Sequence, residues 1–137
     1  MVQLRGSKDG CPIVTPPLLP SGVLNISEIF YKCKSLTSAP TIPNGVTTIS
    51  KAFGNCTSLR TGTNIPASVQ YMSATFHNCT SLSGNIVIDA SPTSSSSYAS
   101  FFQSCGADAA HTITLRGSST LLNEIAATGG SYVVVGE

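Results

Sequence analysis

Five cysteines have the widest chemical reach in this sequence: Cys11, Cys33, Cys56, Cys79 and Cys105. Thiols in a series can hold a metal, close disulfides or fill a core. Zinc clusters require short paired spacings such as Cys-x-x-Cys, and the nearest pair here is 22 residues apart. The two histidines, His77 and His111, stand 34 residues apart. The six carboxylates (Asp9, Glu28, Asp89, Asp108, Glu124 and Glu137) include no pair at a spacing suited to acid–base work. Gly129-Gly130 follows a helical stretch, where a phosphate-binding loop would precede one. The many serines lie in no nucleophile-elbow context. The chain is therefore predicted not to be an enzyme and to use no metal or cofactor.

The cysteine spacing belongs to a larger pattern. Cys33, Cys56 and Cys79 follow at 23 residues and Cys105 at 26, each closing a Phe-x-x-Cys frame that begins at Phe30, Phe53, Phe76 or Phe102. Cys33-Lys34-Ser35-Leu36, Cys56-Thr57-Ser58-Leu59 and Cys79-Thr80-Ser81-Leu82 extend it downstream. Pro20, Pro43 and Pro66 lie in register upstream, as do Val23, Val46 and Val69, and Ile26, Ile49 and Met72. Agreement at so many positions identifies an internal repeat, and such repeats bury their apolar faces by stacking.

Each unit reads as one coil of a solenoid. A polar, β-tolerant stretch such as Thr37 to Ile42 predicts a brief strand, ended by Ile42-Pro43 because proline cannot donate to a ladder. Asn44-Gly45 or Ala67-Ser68 then turns the chain. Apolar residues at 46, 49, 52 and 53 fit a short helix with one buried stripe. The extra residues of the fourth unit fall within Asp89 to Tyr98 and should bulge without breaking the stack. Beyond Cys105 the expected elements are a strand over Thr112 to Leu115, a helix over Ser118 to Ala127 capped by Ser118 or Ser119, and a strand over Tyr132 to Val135. The resulting expectation is an α/β repeat solenoid, a right-handed coil of short strands and short helices. It has about four 23-residue units over residues 10–105 and a capping unit over 106–137, all in one domain, 1–137.

Stacking also decides the reading of the thiols. Four repeat cysteines on one line would lie ~5 Å apart, with side chains parallel, a geometry that disfavours the disulfide torsion. Small thiols filling identical core slots are expected instead. Cys11 is one residue out of register and is the candidate for an exposed thiol. His77 shares a variable slot with Tyr31 and Gly54 and should face solvent. Asn25-Ile26-Ser27, Asn55-Cys56-Thr57 and Asn78-Cys79-Thr80 match the glycosylation acceptor pattern, but in the repeat the asparagine reads as a turn residue.

The motif Ile42-Pro43-Asn44-Gly45-Val46-Thr47-Thr48-Ile49, followed by Ala52-Phe53-Gly54-Asn55-Cys56, resembles the BspA-like leucine-rich-repeat family of bacterial surface proteins. The resemblance covers about residues 10 to 105. An extra residue precedes Ile-Pro here, and one fewer separates Ile49 from Ala52-Phe53; the latter is similar to a related repeat family of mycoplasma-type lipoproteins. The resemblance implies a leucine-rich-repeat-like fold, a cell-surface location and a role in adhesion or host contact, with no catalytic residues to carry over.

Composition agrees with a binding module. Charged residues make up 9% against 21 Ser and 15 Thr, and a net charge of +1 supplies no field for nucleic acid. No run approaches the ~18 apolar residues of a membrane span, so no direct membrane insertion is expected. Met1 to Gly10 lacks a signal-peptide core, and the sequence reads as a fragment of a longer secreted or surface protein. The residues that vary between units after each leucine, Thr37, Ser38, Arg60, Thr61 and Ser83 with Gly84, are the candidate ligand-binding face. The expected partner is a host or neighbouring-cell protein or glycan. The competing expectation is a structural spacer, such as a phage-tail or envelope element, that self-associates through its cap.

Overall fold

The computed structural model describes residue 11 and residues 13–136 of the 137-residue chain. Its backbone returns to a parallel position once per repeat. The N–H groups of Ile26, Glu28, Phe30 and Lys32 donate to the carbonyls of Thr48, Ser50, Ala52 and Gly54, at 2.8–3.0 Å. Ile49, Lys51, Phe53 and Asn55 donate likewise to Tyr71, Ser73, Thr75 and His77, at 2.7–2.9 Å. Met72, Ala74, Phe76 and Asn78 continue the ladder to Ser97, Ala99, Phe101 and Gln103. The inserted residues around Ser95–Tyr98, a short 3₁₀ turn, thus lengthen the path without breaking the stack.

The helix expected over residues 46–53 is absent. Between the cross-repeat bonds, Ile29, Tyr31 and Cys33 donate back three residues, to Ile26, Glu28 and Phe30, at 2.9–3.1 Å. An α-helix would bond four residues back and leave no N–H for the neighbouring repeat. Here alternate N–H groups close turns while the others join repeats. Two positions per unit adopt left-handed backbone: Glu28, Lys51, Ala74 and Ser100 form one column, Lys32, Asn55, Asn78 and Ser104 the other, with φ between 55° and 70°. A right-handed helix cannot pass through such residues. The apolar residues at 46, 49, 52 and 53 are nevertheless fully buried, so the spacing marks burial correctly and conformation incorrectly.

The strand expected over 37–42 also contracts, to a parallel bridge at Ser38. Three sets of bridges run along the stack: Asn25↔Thr48↔Tyr71, Ser38↔Thr61↔Ser83 and Ile65↔Ile88. The second set leads into a parallel sheet of β1 (Gly84–Val87), β2 (Ile113–Arg116) and β3 (Val133–Val135), in the order β1-β2-β3. The expected turns at Asn44-Gly45 and Ala67-Ser68 are present, and Gly45 supplies a φ of 97°.

Identical slots stack identical side chains. Phe30, Phe53, Phe76 and Phe102 form a column with ring centroids 5.3–5.8 Å apart and planes within 12°. Phe101 stands edge-on to Phe76 and Phe102, at 5.5 and 4.6 Å. Such offset and edge contacts add to the burial of each ring. Leu36, Leu59 and Leu82 form a second buried column, and Ile42, Ile65 and Ile88 a third.

After Cys105 the ladder continues in altered form. Gly130 N–H donates to Cys105 O and Tyr132 N–H to Gly106 O, while Thr128 Oγ1 replaces a backbone acceptor for Phe102 N–H at 2.9 Å. The helix α1 spans only Leu122–Ala126, shorter than expected. Neither Ser118 nor Ser119 is its N-cap; Ser119 Oγ instead accepts from Leu121 N–H at 3.1 Å. Gly117, at φ 121°, lies so close to Ile88 that an added Cβ would fall 2.4 Å from its carbonyl oxygen.

Candidate functional site

The five candidate face residues come together. Thr37 N–H donates to Val14 O, Arg60 N–H to Thr37 O and Ser83 N–H to Arg60 O, at 2.9–3.0 Å. These bonds set Thr37, Arg60 and Ser83 side by side in successive repeats, with Ser38 and Thr61 bridged beside them. Arg60 and Thr61 are exposed; Thr37, Ser38 and Ser83 are half-buried. The Thr37 hydroxyl is committed to Val14 O at 3.2 Å. The leucine immediately before each pair is buried, so a constant interior residue holds each variable exterior pair in place.

The cysteines divide into two kinds. Cys56, Cys79 and Cys105 are buried free thiols. Each donates its S–H to the phenylalanine carbonyl one repeat back: Phe30 at 3.1 Å, Phe53 at 3.0 Å and Phe76 at 3.0 Å. Burial pushes the Cys56 and Cys105 thiols up to about 12, and raises Cys79 with a further contribution from the flanking thiols. Their nucleophilicity is suppressed accordingly. Cys11 corrects the sequence reading: it is buried, not exposed, and it closes a disulfide with Cys33 across Cα atoms 4.7 Å apart. The parallel-thiol objection applies only to in-register cysteines, and Cys11 is offset by one residue.

The six copies of the BspA type leucine rich repeat region match residues 10–126. The chain belongs to this leucine-rich-repeat family. No curated protein and no solved structure matches it. The match runs past Cys105, where the sequence resemblance was expected to stop, and takes in β2 and α1. As a member of the leucine-rich-repeat class the chain has a repeat architecture, and the ladder above is how its backbone realises it.

The remaining candidate residues are also placed. His77 is half-buried, with part of its surface open to solvent. It borders an open cleft of about 210 Å³ with Tyr31, Lys51, Ala74, Ser100 and Gln103, which the sequence reading did not single out. Gly54, aligned between Tyr31 and His77, was the available signal: one unit lacks a side chain in a column of large ones. His111 Nδ1 lies 2.7 Å from Asp108 Oδ1 on the surface. Asn55 and Asn78 serve turns, as expected, and are joined by an Nδ2–Oδ1 bond of 2.7 Å. Among the described residues, no cluster of three His, Cys, Asp or Glu could hold a metal, and no helix is long and apolar enough to cross a membrane.

Proposed function

We propose that this leucine-rich-repeat chain is a non-catalytic surface module that recognises a protein or glycan along the strip formed by Thr37, Ser38, Arg60, Thr61 and Ser83. The scaffold in this reading is one right-handed solenoid domain over 1–137. About four full coils make up its centre, with the segment from 106 onward as a closing unit. The observation that carries the reading is the run of backbone bonds that sets Thr37, Arg60 and Ser83 side by side, residues that differ between repeats and follow leucines that do not. A flat strip of short polar side chains with one guanidinium suits recognition by hydrogen bonds and shape more than by long-range charge. The Cys11–Cys33 disulfide supports an extracellular or cell-surface location, because such bonds persist in oxidising compartments. The reading includes no cofactor, no nucleic-acid partner and no membrane insertion.

The test is an array of immobilised surface proteins and glycans probed with the chain and with a Thr37→Ala, Arg60→Glu, Ser83→Ala variant. Loss of about tenfold or more in affinity, ~1.4 kcal/mol, is expected for the variant. Undiminished binding by a folded variant overturns the face.

One observation favours a second reading, a self-associating spacer. β3 pairs with β2 on one edge, and Val134 within it and Tyr132 just before it are each 40% exposed. An open strand edge is a template for further pairing. Light scattering that shows an oligomer dissolved by Val134→Lys would support the spacer; a monomer at all concentrations would remove it.

A further inference from the structure

The cleft lined by Tyr31, Lys51, Ala74, His77, Ser100 and Gln103 lies on the turn face of the stack, built from residues other than those of the strip. Two columns of the repeat form its walls. Lys51, Ala74 and Ser100 hold left-handed backbone, at φ 58°, 55° and 60°. The column three positions later holds Tyr31, His77 and Gln103, with Gly54, which supplies no side chain, three residues after Lys51. A Cβ at Gly54 would meet Tyr31 Cδ1 at 2.9 Å, so the bare backbone is what admits the ring. Ala74 contributes only a methyl group, and the hollow opens where these two small residues fall in adjacent repeats.

The polar groups around this hollow are uncommitted. Among the described residues, no side-chain hydrogen bond or ion pair engages Tyr31 Oη, Lys51 Nζ, the His77 ring, Ser100 Oγ or the Gln103 carboxamide. Four neighbouring columns of the same stack do form such bonds. Ser73 bonds Ser50, Asn78 bonds Asn55, Thr47 bonds Leu24 O, and Ser68 bonds both Gly45 and Val46. Five unengaged polar side chains thus surround one hollow, beside columns whose polar groups are paired.

We propose that this cleft binds a single acidic sugar ring, a hydroxylated six-membered ring carrying a carboxylate. At about 210 Å³ the space is below the ~300 Å³ at which drug-sized ligand pockets begin, and suits one small ring. Sugar hydroxyls donate and accept, and the lining offers both roles through tyrosine and serine hydroxyls, a carboxamide and an imidazole. A peptide carboxylate would need donors alone. The lining carries the Lys51 ammonium and no carboxylate; Glu28, one repeat back in the Lys51 column, stands outside it. Lys32 Nζ adds a second positive charge, 5.4 Å from the Tyr31 ring centroid.

The test is an amide NMR titration of the chain with glucuronate, glucose and glutarate as probes. Glucuronate should give saturable shifts at Gly54, His77 and Gln103 in the millimolar range, with Kd on the order of 1–10 mM. Glucose and glutarate should each bind about tenfold more weakly, as should glucuronate to Lys51→Glu and to Gln103→Ala, ~1.4 kcal/mol in each case. The Thr37, Arg60 and Ser83 variant should bind glucuronate normally, which separates this site from the strip. Absence of saturable shifts overturns the proposal. Equal affinity for glutarate would reassign the cleft to an acidic peptide and overturn it too, as would affinity unchanged by both cleft variants.

Discussion

Ala74 occupies a backbone position that only glycine adopts without penalty, with φ 55° in the column shared by Glu28, Lys51 and Ser100. The left-handed conformation costs roughly 1–2 kcal/mol for a residue with a Cβ. Glycine removes that cost and adds about 0.5–1 kcal/mol of chain entropy lost on folding. Ala74→Gly should therefore stabilise by ~0.5–1 kcal/mol, read as a rise of about 2–4 °C in Tm; a fall in Tm would contradict the assigned turn. The thiols give a second residue-scale expectation. Burial raises Cys56 and Cys105 from 9.0 to about 12, and Cys79 is raised as well. The unfolded chain releases these protons near pH 9 while the folded chain keeps them. Their contribution is complete below that pH and is lost progressively as pH rises from 9 toward 12, by up to ~1.4 kcal/mol per unit for each thiol. Urea melts from pH 7 to 10.5 should show a shallower alkaline decline for Cys79→Ala than for the parent, and identical declines would refute the protonation argument.

At the scale of elements, the stack replaces helices and long strands with turns whose alternate N–H groups reach the next repeat. The 23-residue period and nearly all of the core were legible in the sequence, because Phe30, Phe53 and Phe76 or Leu36, Leu59 and Leu82 recur with their neighbours. The turn conformation was not. Spacings of three and four residues bury one side of a helix and also one side of successive three-residue turns, so 46, 49, 52 and 53 are compatible with both. Positive φ at Lys51 and Ala74 leaves no signature in residue type. The Cys11–Cys33 disulfide escaped for a related reason: Cys11 lies outside the period that organised the other thiols. Its bond spans 22 residues of sequence, and closing a loop of that size is worth roughly 3 kcal/mol. Cys11→Ser should lower the unfolding free energy by about that amount, measured by urea denaturation without reductant. A change below ~0.5 kcal/mol would place the bridge outside the cooperative unit.

For the molecule as a whole, both proposed recognition surfaces depend on repeats sliding into a single register. The strip was legible as a set of variable positions after each leucine, and the ladder brings all five of its residues together. The cleft was not legible, since it needs Lys51 and Ser100 placed beside Tyr31 and Gln103 by turns that the sequence reading took for a helix. Register is therefore what the proposed function rests on, and it is directly measurable. Couplings across hydrogen bonds between amide nitrogen and carbonyl carbon, recorded on the isotopically labelled chain, report each donor with its acceptor. Ile26 should couple to Thr48, Ile49 to Tyr71 and Phe53 to Thr75, as the backbone bonds require. Couplings from Ser50 to Val46 or from Phe53 to Ile49, the pattern of an α-helix, would contradict the turn ladder and with it the alignment of both surfaces.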